Sequence, residues 1–408
     1  MRRAEPAWRR RVGDVPLLGM ALLLSFLGLA MIFSAGQVDV PSVATGIWRH
    51  QLLWLAVALT AFVVVSRVPL RWLEWAAPGA YAAALGLLVL VLLVGTGPGG
   101  TRSWLDLGPA RLQPAEFAKL ATILLLARIL SGEQRAAEGL AALWKPVLVV
   151  LVPLALVLVQ PDLGSALIFG VILIASLYWA GVPLATLFLL VSPGISLILG
   201  FSAVVWGIWI VVLAAFLYVH RPYLGESLGM LALNIATGAL TLPLWSRLEP
   251  YQQDRLLVFL NPDADPRGSG WHLVQSKVAI GSGGLLGQGY LHGPQKRLAF
   301  LPEQHTDFIF SVVGEELGFL GVLAFLALLT WFLARTLRTA RSTPEDFGGI
   351  VVFSLFGVWF AHVLINIGMT VGLMPITGLP LPFLSYGGSF LVSVWAGLAI
   401  VERVAAEG

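Results

Sequence analysis

The residues best suited to chemistry lie in one polar interval, 247–307, of a chain that elsewhere alternates apolar runs with short connectors. This interval combines Asp, Arg, Lys, His and Gln side chains with many glycines, and contact with lipid requires none of them. Asp254, in the run YQQDRLL, directly follows an apolar segment, so we expect its carboxylate near a membrane surface. Two interpretations are open: an exposed neighbour pair of Asp254 with Arg255, or a carboxylate with a chemical role.

A second pair of ionisable residues, Glu116 and Lys119, stands in the run QPAEFAKL at the start of an apolar segment. Their spacing, i to i+3, predicts that both lie on one face of a helix within its first turns. Ionisable residues in such helices are costly and usually face a polar cavity or each other. A structural ion pair and a substrate site both fit this pattern. Trp104, in the preceding connector 96–113, fits either an interfacial aromatic belt or a site.

Acidic residues also stand where predicted helices begin. Asp162, in QPDLGSAL, lies between two helices and fits either an N-cap or a residue lining the mouth of a site. Glu303, His305 and Asp307, in LPEQHTDFIF, precede another helix. His305 has no H-E-x-x-H motif and no second His at helical spacing, so the sequence predicts no metal centre built from His. Two further carboxylates enter the apolar segment behind them, Glu315 and Glu316.

Late in the chain, the run MPITGLPLPFLSYGGSF predicts a connection between two helices that is broken by Pro and Gly. Backbone of this kind at membrane depth must line a cavity or be covered by protein. His362 and Asn366, at i and i+4, share one face of the preceding apolar segment, 349–373. Hydrogen bonding between helices is sufficient to explain that pair.

The composition of the chain indicates a polytopic membrane protein. Its 408 residues are 58% hydrophobic and 12% charged, against roughly 25% charged in an ordinary soluble domain. Unpaired backbone groups are costly in hydrocarbon, and the apolar runs do not alternate, so the spanning elements must be helices and not a barrel. The absence of Cys excludes disulfides, thiol catalysis and Cys-ligated metal sites.

The predicted fold is an all-α polytopic membrane protein, a bundle of 10–12 transmembrane helices with a large extracytoplasmic loop at 247–307, in a single domain over 1–408. The range in helix number comes from 183–246, where Pro193 and Gly194 interrupt one run. The predicted segments are 15–35, 49–66, 73–95, 115–131, 145–160, 163–182, 185–202, 203–219, 226–246, 308–334, 349–373 and 384–402.

Basic residues predict the orientation of this bundle. The N-terminal residues 1–14 carry five arginines before an apolar run that is too long for the core of a signal peptide. This predicts an uncleaved first helix with a cytoplasmic N-terminus, and Lys and Arg in the short connectors fall on the same side. The interval 247–307 is then extracytoplasmic. The net charge of +3 needs no anionic partner, because basic residues also set membrane orientation.

Taken together, these motifs resemble the SEDS family, named for shape, elongation, division and sporulation. The matching elements are RSWLDLG with QPAEFAKL, QPDLGSAL, the polar interval from YQQDRLLVFLNPDADPRGSG to SVVGEELG, and GLMPITGLPLPFLSYGGSF. They span roughly residues 100 to 400. The pattern GxLHGxQxxLxFLPExHTDFIF is similar to the cell-elongation branch of the family more than to its division branch.

The resemblance implies a peptidoglycan glycosyltransferase of the bacterial inner membrane that polymerises lipid II into β-1,4 glycan strands at the outer face, for cell elongation and rod shape. It also implies a partner, a class B penicillin-binding protein, which crosslinks the strands. We expect that partner to contact transmembrane helices, including 349–373, and the outer loop. No nucleic acid is implied.

The resemblance also implies roles for individual residues. Asp254 becomes the candidate general base, and a partly apolar setting would raise its pKa from about 3.9 towards a useful range. Positive charge would stabilise the departing pyrophosphate, from side chains or from a divalent cation, although no cofactor is certain and no metal ligands are assigned. The candidate substrate-binding residues are Arg102, Trp104, Glu116, Lys119, Asp162, Lys277, Glu303, His305 and Asp307.

Two other functions stay open at this point. A transporter could carry the lipid II headgroup through the bilayer on Glu116, Lys119, Glu315 and Glu316, but it would need polar residues in the inner half, where 185–219 and 349–361 offer almost none. A non-catalytic scaffold could activate a penicillin-binding protein through the small-residue faces of 349–373. Such a scaffold would have no use for Asp254.

Overall fold

The computed structural model describes residues 13–39, 44–97, 102–106, 108, 110–132, 139–220, 223–248, 250–260, 269–301 and 303–407. The arginines predicted to form a basic N-terminus, within residues 1–12, lie outside the described residues.

Helices dominate the described chain, with one small pair of strands. The strands are β1 (Leu105–Asp106) and β2 (Arg111–Leu112), which pair antiparallel. A 3-10 turn covers Leu140–Leu143. The α-helices are α1 (Val15–Ala35), α2 (Ile47–Val65), α3 (Leu70–Val94), α4 (Pro114–Gly132), α5 (Trp144–Val159), α6 (Leu163–Trp179), α7 (Leu184–Leu199), α8 (Ala203–His220), α9 (Leu224–Ala239), α10 (Thr241–Trp245), α11 (Pro250–Leu260), α12 (Ser269–Ser282), α13 (Pro294–Arg297), α14 (Ile309–Ser342), α15 (Asp346–Val371) and α16 (Gly388–Glu407).

The predicted all-α membrane bundle is confirmed, since every predicted apolar segment forms a helix. Eight helices within the described ranges are long and apolar enough to cross a membrane. The apolar helices α6 and α7 are shorter, at 17 and 16 residues, and α4 carries the charged residues Glu116, Lys119 and Arg128. The segment predicted at 226–246 is divided between α9 and the short α10.

The interval predicted as a large loop, 247–307, is instead largely helical where the structure describes it. It contains α11, α12 and α13. On α12, Leu273, Ser276 and Ala279 are buried at a spacing of three, and Ser276 hydrogen-bonds the Ser311 hydroxyl of α14 at 2.7 Å. In these helices the buried residues are isolated within polar sequence. Hydropathy alone therefore does not predict them.

The centre of the bundle is formed by α4, α6, α14, α15 and α16, whereas α7, α8 and α9 pack together beside it. A Cβ on Gly357 of α15 would lie 2.9 Å from Cβ of Ala175, and one on Gly349 would lie 2.8 Å from Nε1 of Trp179. Both neighbours belong to α6. The small-residue face of 349–373 considered for a partner is therefore covered by α6 within the chain, and that part of the scaffold hypothesis was wrong.

Helix α14 is broken at Gly318, which has φ 64° and ψ −168°. Only glycine adopts this region of backbone conformation readily. The glycine-rich segment 283–289 lies against the break and pairs with the backbone on both of its sides, so the freed groups are satisfied. The four bonds, at 2.9–3.1 Å, join Gln288 N to Glu315 O, Gly289 N to Glu316 O, Phe319 N to Gly284 O and Leu320 N to Leu285 O.

The Pro- and Gly-rich connection between α15 and α16, residues 374–387, folds back against the start of α14 and is called the re-entrant segment below. The Ser385 hydroxyl donates to Thr306 O at 2.7 Å, and Tyr386 N donates to His305 O at 2.9 Å. Gln51 of α2 contacts the same segment through Ser385 O, at 3.3 Å. Of the two arrangements that the sequence left open, lining a cavity or being covered by protein, these contacts show the second.

Candidate functional site

Glu116 and Lys119 form a buried ion pair on α4. The Lys119 ammonium donates to Glu116 Oε1 at 2.7 Å, and each side chain is 4% exposed. Gln113 and Pro114 start this helix, and the Gln113 N–H donates to the Ser389 hydroxyl of α16 at 3.0 Å. The sequence allowed two interpretations, an ion pair or a substrate site, and the structure contains the ion pair.

The same pair also lines a cavity inside the bundle. The cavity lies between α4, α15 and α16 and leaves about 20 Å³ of room for the centres of water molecules. Its polar lining consists of Glu116, Lys119, His362 and Ser393, and its apolar lining includes Trp359. Ionisable residues inside a membrane bundle usually face a cavity or each other, and this pair does both.

Asp162 has the first of the two roles that the sequence left open, the N-cap, and it also joins two helices. Its Oδ1 accepts the N–H of Ser165 at 2.9 Å, so it is the N-cap of α6 as predicted. Its Oδ2 accepts from Nε2 of Gln113 at 2.9 Å, which joins α6 to the start of α4. The Asp162 carboxylate therefore belongs to the edge shared by these two helices.

Asp307 lies at the same edge, immediately before α14. A Cβ on Gly378 of the re-entrant segment would lie 3.4 Å from Oδ2 of Asp307 and 3.7 Å from Nη1 of Arg255. The pKa of Asp307 is raised to about 6, first by burial and then by the Glu303 carboxylate, with Arg255 lowering it and Asp162 raising it. We call this group, Asp162, Arg255, Glu303 and Asp307, the polar rim.

His305 is a buried neighbour of the polar rim. Its Nε2 lies 3.9 Å from Oε2 of Glu303, and its ring centroid is 5.7 Å from that of Tyr386. Burial lowers the pKa of His305, and the Glu303 carboxylate only partly opposes this. Burial and then Arg255 also lower the pKa of His272 on α12, a residue that the sequence analysis did not select. Both imidazoles are therefore neutral at neutral pH.

Asp254 lies on α11, next in sequence to Arg255 of the polar rim. Nε2 of Gln252, on the same helix, approaches Pro161 O at 3.5 Å, so α11 contacts the turn that precedes α6. The Asp254 side chain is exposed. The partly apolar setting expected for this carboxylate is therefore not found, although its position leaves it accessible to a bound molecule.

Three candidate residues have local contacts of their own. Arg102 Nη1 donates to Leu92 O at 3.3 Å, and the Trp104 N–H donates to Thr96 O at 3.0 Å in a β-bridge. The Lys277 ammonium would lie 2.6 Å from a Cβ on Gly372, beside the C-terminal end of α15, where a positive charge complements the helix dipole. No hydrogen bond or salt bridge joins these three residues to Asp254 within the described part of the chain.

The described ranges contain no group of three or more His, Asp or Glu side chains arranged to hold a metal ion. The carboxylates of the polar rim instead neighbour Arg255 and the amide of Gln113. These residues do not fit a divalent cation site, and we derive no step through one.

Sequence reasoning missed a buried ionic cluster between α1, α13 and α14. The Lys296 ammonium forms a salt bridge with Glu316 and contacts the Ser34 hydroxyl, and both charged side chains are 0% exposed. Ser34 also donates to Glu316 at 2.6 Å. Glu315 accepts from the N–H groups of Gln295 and Lys296 at 2.7 and 3.3 Å. The two glutamates therefore anchor the α13 region, and no local sequence signal marks their partners.

Comparison with known proteins identifies the family. The profile of the FtsW, RodA and SpoVE family, described as cell cycle protein, matches residues 15–223 and 202–408. The peptidoglycan glycosyltransferase MrdB of Escherichia coli strain K12 is 36% identical, over 97% of this chain and 94% of the relative. The peptidoglycan glycosyltransferase RodA of Treponema pallidum is 33% identical, over 94% and 95%.

Solved structures agree. A chain from a study of how a peptidoglycan synthase complex coordinates polymerization and crosslinking has a TM-score of 0.71 and 31% identity, with 96% of this chain and 97% of that chain covered. The rod shape determining protein RodA of Thermus thermophilus has a TM-score of 0.63 and 28% identity, with 96% of each chain covered. The resemblance seen in the sequence motifs is confirmed, and this chain belongs to the FtsW/RodA/SpoVE family.

Proposed function

We propose that this chain is a peptidoglycan glycosyltransferase of cell elongation that polymerises lipid II into β-1,4 glycan strands. One observation carries the proposal: the chain is 36% identical to a peptidoglycan glycosyltransferase over 97% of its length. The Treponema pallidum relative, RodA, has the same activity in its name at 33% identity.

The reaction we propose is a single displacement with inversion. The acceptor 4-hydroxyl loses its proton to a carboxylate while its oxygen bonds to C1 of the donor sugar. The bond from C1 to the pyrophosphate oxygen breaks, and the electron pair leaves with the polyprenyl pyrophosphate. Pyrophosphate departs readily without a protonating acid, so the paired carboxylates of a glycosidase are not needed.

In this reaction we assign the proton acceptor to Asp254 and the nearest positive charge to Arg255. Support comes from the exposed position of Asp254 on α11, beside the polar rim. A positioned base contributes about 10²–10⁴-fold, and a fixed cation stabilises the developing charge on the leaving group. Asp307 would bind a substrate hydroxyl, as a donor when protonated and as an acceptor when ionised.

The membrane arrangement follows from the same proposal. We place the chain in the bacterial inner membrane with a cytoplasmic N-terminus, because the basic connectors then lie in the cytoplasm. The polar rim, α11 and α12 would face the extracytoplasmic side, where glycan strands are built. The ion pair of Glu116 and Lys119 would bind the part of the substrate nearest the bilayer.

A class B penicillin-binding protein is the partner we propose. The structural likeness to a chain of a peptidoglycan synthase complex supports an assembly of this kind. Because the small-residue face of α15 is covered by α6, the contact would use large apolar side chains of α14 and α15, which are neighbours. Exposed examples are Phe319, Leu323, Phe360 and Leu364.

The test is to purify the full chain with and without such a partner and to supply lipid II. We expect glycan polymer to form when the partner is present, whether or not the chain alone makes it. Vesicles containing the chain should be assayed in parallel for lipid II scrambling. Scrambling without polymer would replace the proposal with the transporter, and partner activation without either activity would replace it with the scaffold.

A further inference from the structure

His362 of α15 is a buried polar side chain to which the proposed glycosyl transfer gives no role. The residue is 0% exposed, and its Nδ1 lies 2.9 Å from the carbonyl oxygen of Pro380. A carbonyl oxygen only accepts, so Nδ1 carries a proton, and Nε2 of the neutral imidazole is an acceptor. That Nε2 atom has no hydrogen-bond partner among the described residues. Because an unpaired buried acceptor is costly, a donor that the protein does not itself supply is expected there.

His362 lines the same cavity as Glu116 and Lys119. Lys119 has three N–H donors, and Glu116, at 2.7 Å, is the one hydrogen-bond partner of its ammonium in the described chain. The Ser393 hydroxyl lies 3.4 Å from Oε2 of Glu116. The cavity therefore combines an acceptor, unused ammonium donors and a carboxylate with about 20 Å³ of room for the centres of water molecules. These are the partners and the room that buried water requires.

The other edge of the same ring is fixed to the re-entrant segment. Asn366, one turn further along α15, donates to Leu379 O at 2.8 Å and to Asp307 O at 2.9 Å. Gly378 of that segment borders Asp307 and Arg255 of the polar rim. His362 and Asn366 therefore fix the backbone of the re-entrant segment, which borders the polar rim.

We propose that water in the cavity joins His362 Nε2 to the Lys119 ammonium, so that His362 is a positioning residue connecting the Glu116–Lys119 pair to the re-entrant segment. One water molecule that accepts from the ammonium and donates to Nε2 pairs the imidazole acceptor and one of the two unused ammonium donors. The link fixes the direction of the Lys119 side chain relative to the polar rim.

The direct test is nitrogen NMR of the full chain labelled with ¹⁵N-histidine in detergent micelles, with the His362 signals assigned by loss in His362→Asn. We expect Nδ1 protonated, and Nε2 unprotonated and accepting a hydrogen bond. In Lys119→Met the Nε2 signal should move towards that of a free acceptor, whereas Ser354→Ala, which removes a buried hydroxyl elsewhere on α15, should leave it unchanged. A proton on Nε2 of the neutral ring, or an Nε2 signal that Lys119→Met does not move, overturns the proposal.

A second test uses activity and rests on the proposed function. His362→Asn keeps an N–H near the position of Nδ1 and so can retain the bond to Pro380, but it lacks an acceptor at Nε2. Because the Glu116–Lys119 pair is proposed to bind substrate away from the reacting atoms, we expect KM to rise about tenfold to a hundredfold, the loss of one hydrogen bond to a charged group, with kcat unchanged. An unchanged KM in a folded variant, or a change confined to kcat, contradicts the positioning role. If the wild-type chain makes no polymer, the proposed function fails while the NMR test still decides the water link.

Discussion

Replacing Asp307 with Asn should raise the stability of the folded chain at alkaline pH and not at acidic pH. The folded environment moves the pKa of this carboxyl from 3.8 to about 6, mainly through burial. Between these two values the folded state binds more protons than the unfolded state, so stability falls as pH rises and the full cost is present above pH 6. Asparagine cannot ionise and avoids this cost.

The size of the effect follows from the pKa values. A change from 3.8 to about 6 corresponds to about 3 kcal/mol of differential interaction between the two protonation states. Asp307 is only partly buried, and solvent screening weakens such interactions. We therefore expect Asp307→Asn to stabilise the chain by about 1–3 kcal/mol at about pH 8 and by nearly nothing at about pH 4.

The assay is unfolding of the purified chain in detergent at a series of pH values, with Asp106→Asn as the matched control. The Asp106 carboxylate is 45% exposed and lies 3.8 Å from Arg111, so its replacement should change stability little at any pH. Glycan synthesis by Asp307→Asn should fall despite the added stability. The variant lacks the carboxyl that we propose binds a substrate hydroxyl, and such functional groups often lower stability. A stability difference that does not depend on pH, or greater stability of the wild type at alkaline pH, refutes the reasoning.

Two further predictions concern the Lys296–Glu316 cluster and the break in α14, both measured by unfolding in detergent. Lys296→Met should destabilise the chain by about 3–5 kcal/mol, because it leaves the Glu316 carboxylate buried without its cation. Adding Glu316→Gln should recover part of that loss, and no recovery would contradict the pairing. Gly318→Ala should lower the free energy of unfolding by at least about 1–3 kcal/mol. Alanine is strained at φ 64°, and its Cβ would overlap the backbone of the 283–289 segment. Gly229→Ala, at an open position of α9, should instead be neutral or stabilising by up to about 1 kcal/mol, so equal effects at the two glycines would contradict the helix break.

Local signals in the sequence predicted the features that depend on neighbouring residues. Apolar runs predicted the helices because the backbone N–H and C=O groups of a membrane span must hydrogen-bond within the span. The cap at Asp162 was predictable because its partner, Ser165, is three residues away. The pair of Glu116 and Lys119 was predictable for the same reason, since one helical turn brings both side chains together.

Features that depend on distant segments were not predictable in the same way. Lys296 and Ser34 are 262 residues apart, and no periodicity in either segment points to the other. Arg255 approaches Asp307 across Gly378 of the re-entrant segment, so their proximity depends on the packing of several helices. The helices α11 and α12 were taken for a loop because their polar residues outweigh the few that pack inward.

The carboxylate of Asp254 is the base of the proposed reaction. The decisive measurement is the rate at which the purified chain, with its partner, polymerises lipid II when Asp254 is replaced with Asn, compared with wild type and with Asp106→Asn. We predict a loss of about 10²–10⁴-fold for Asp254→Asn, the contribution of a positioned base, and a rate near that of wild type for Asp106→Asn. Equal rates for Asp254→Asn and wild type would contradict the assignment of Asp254 as the base.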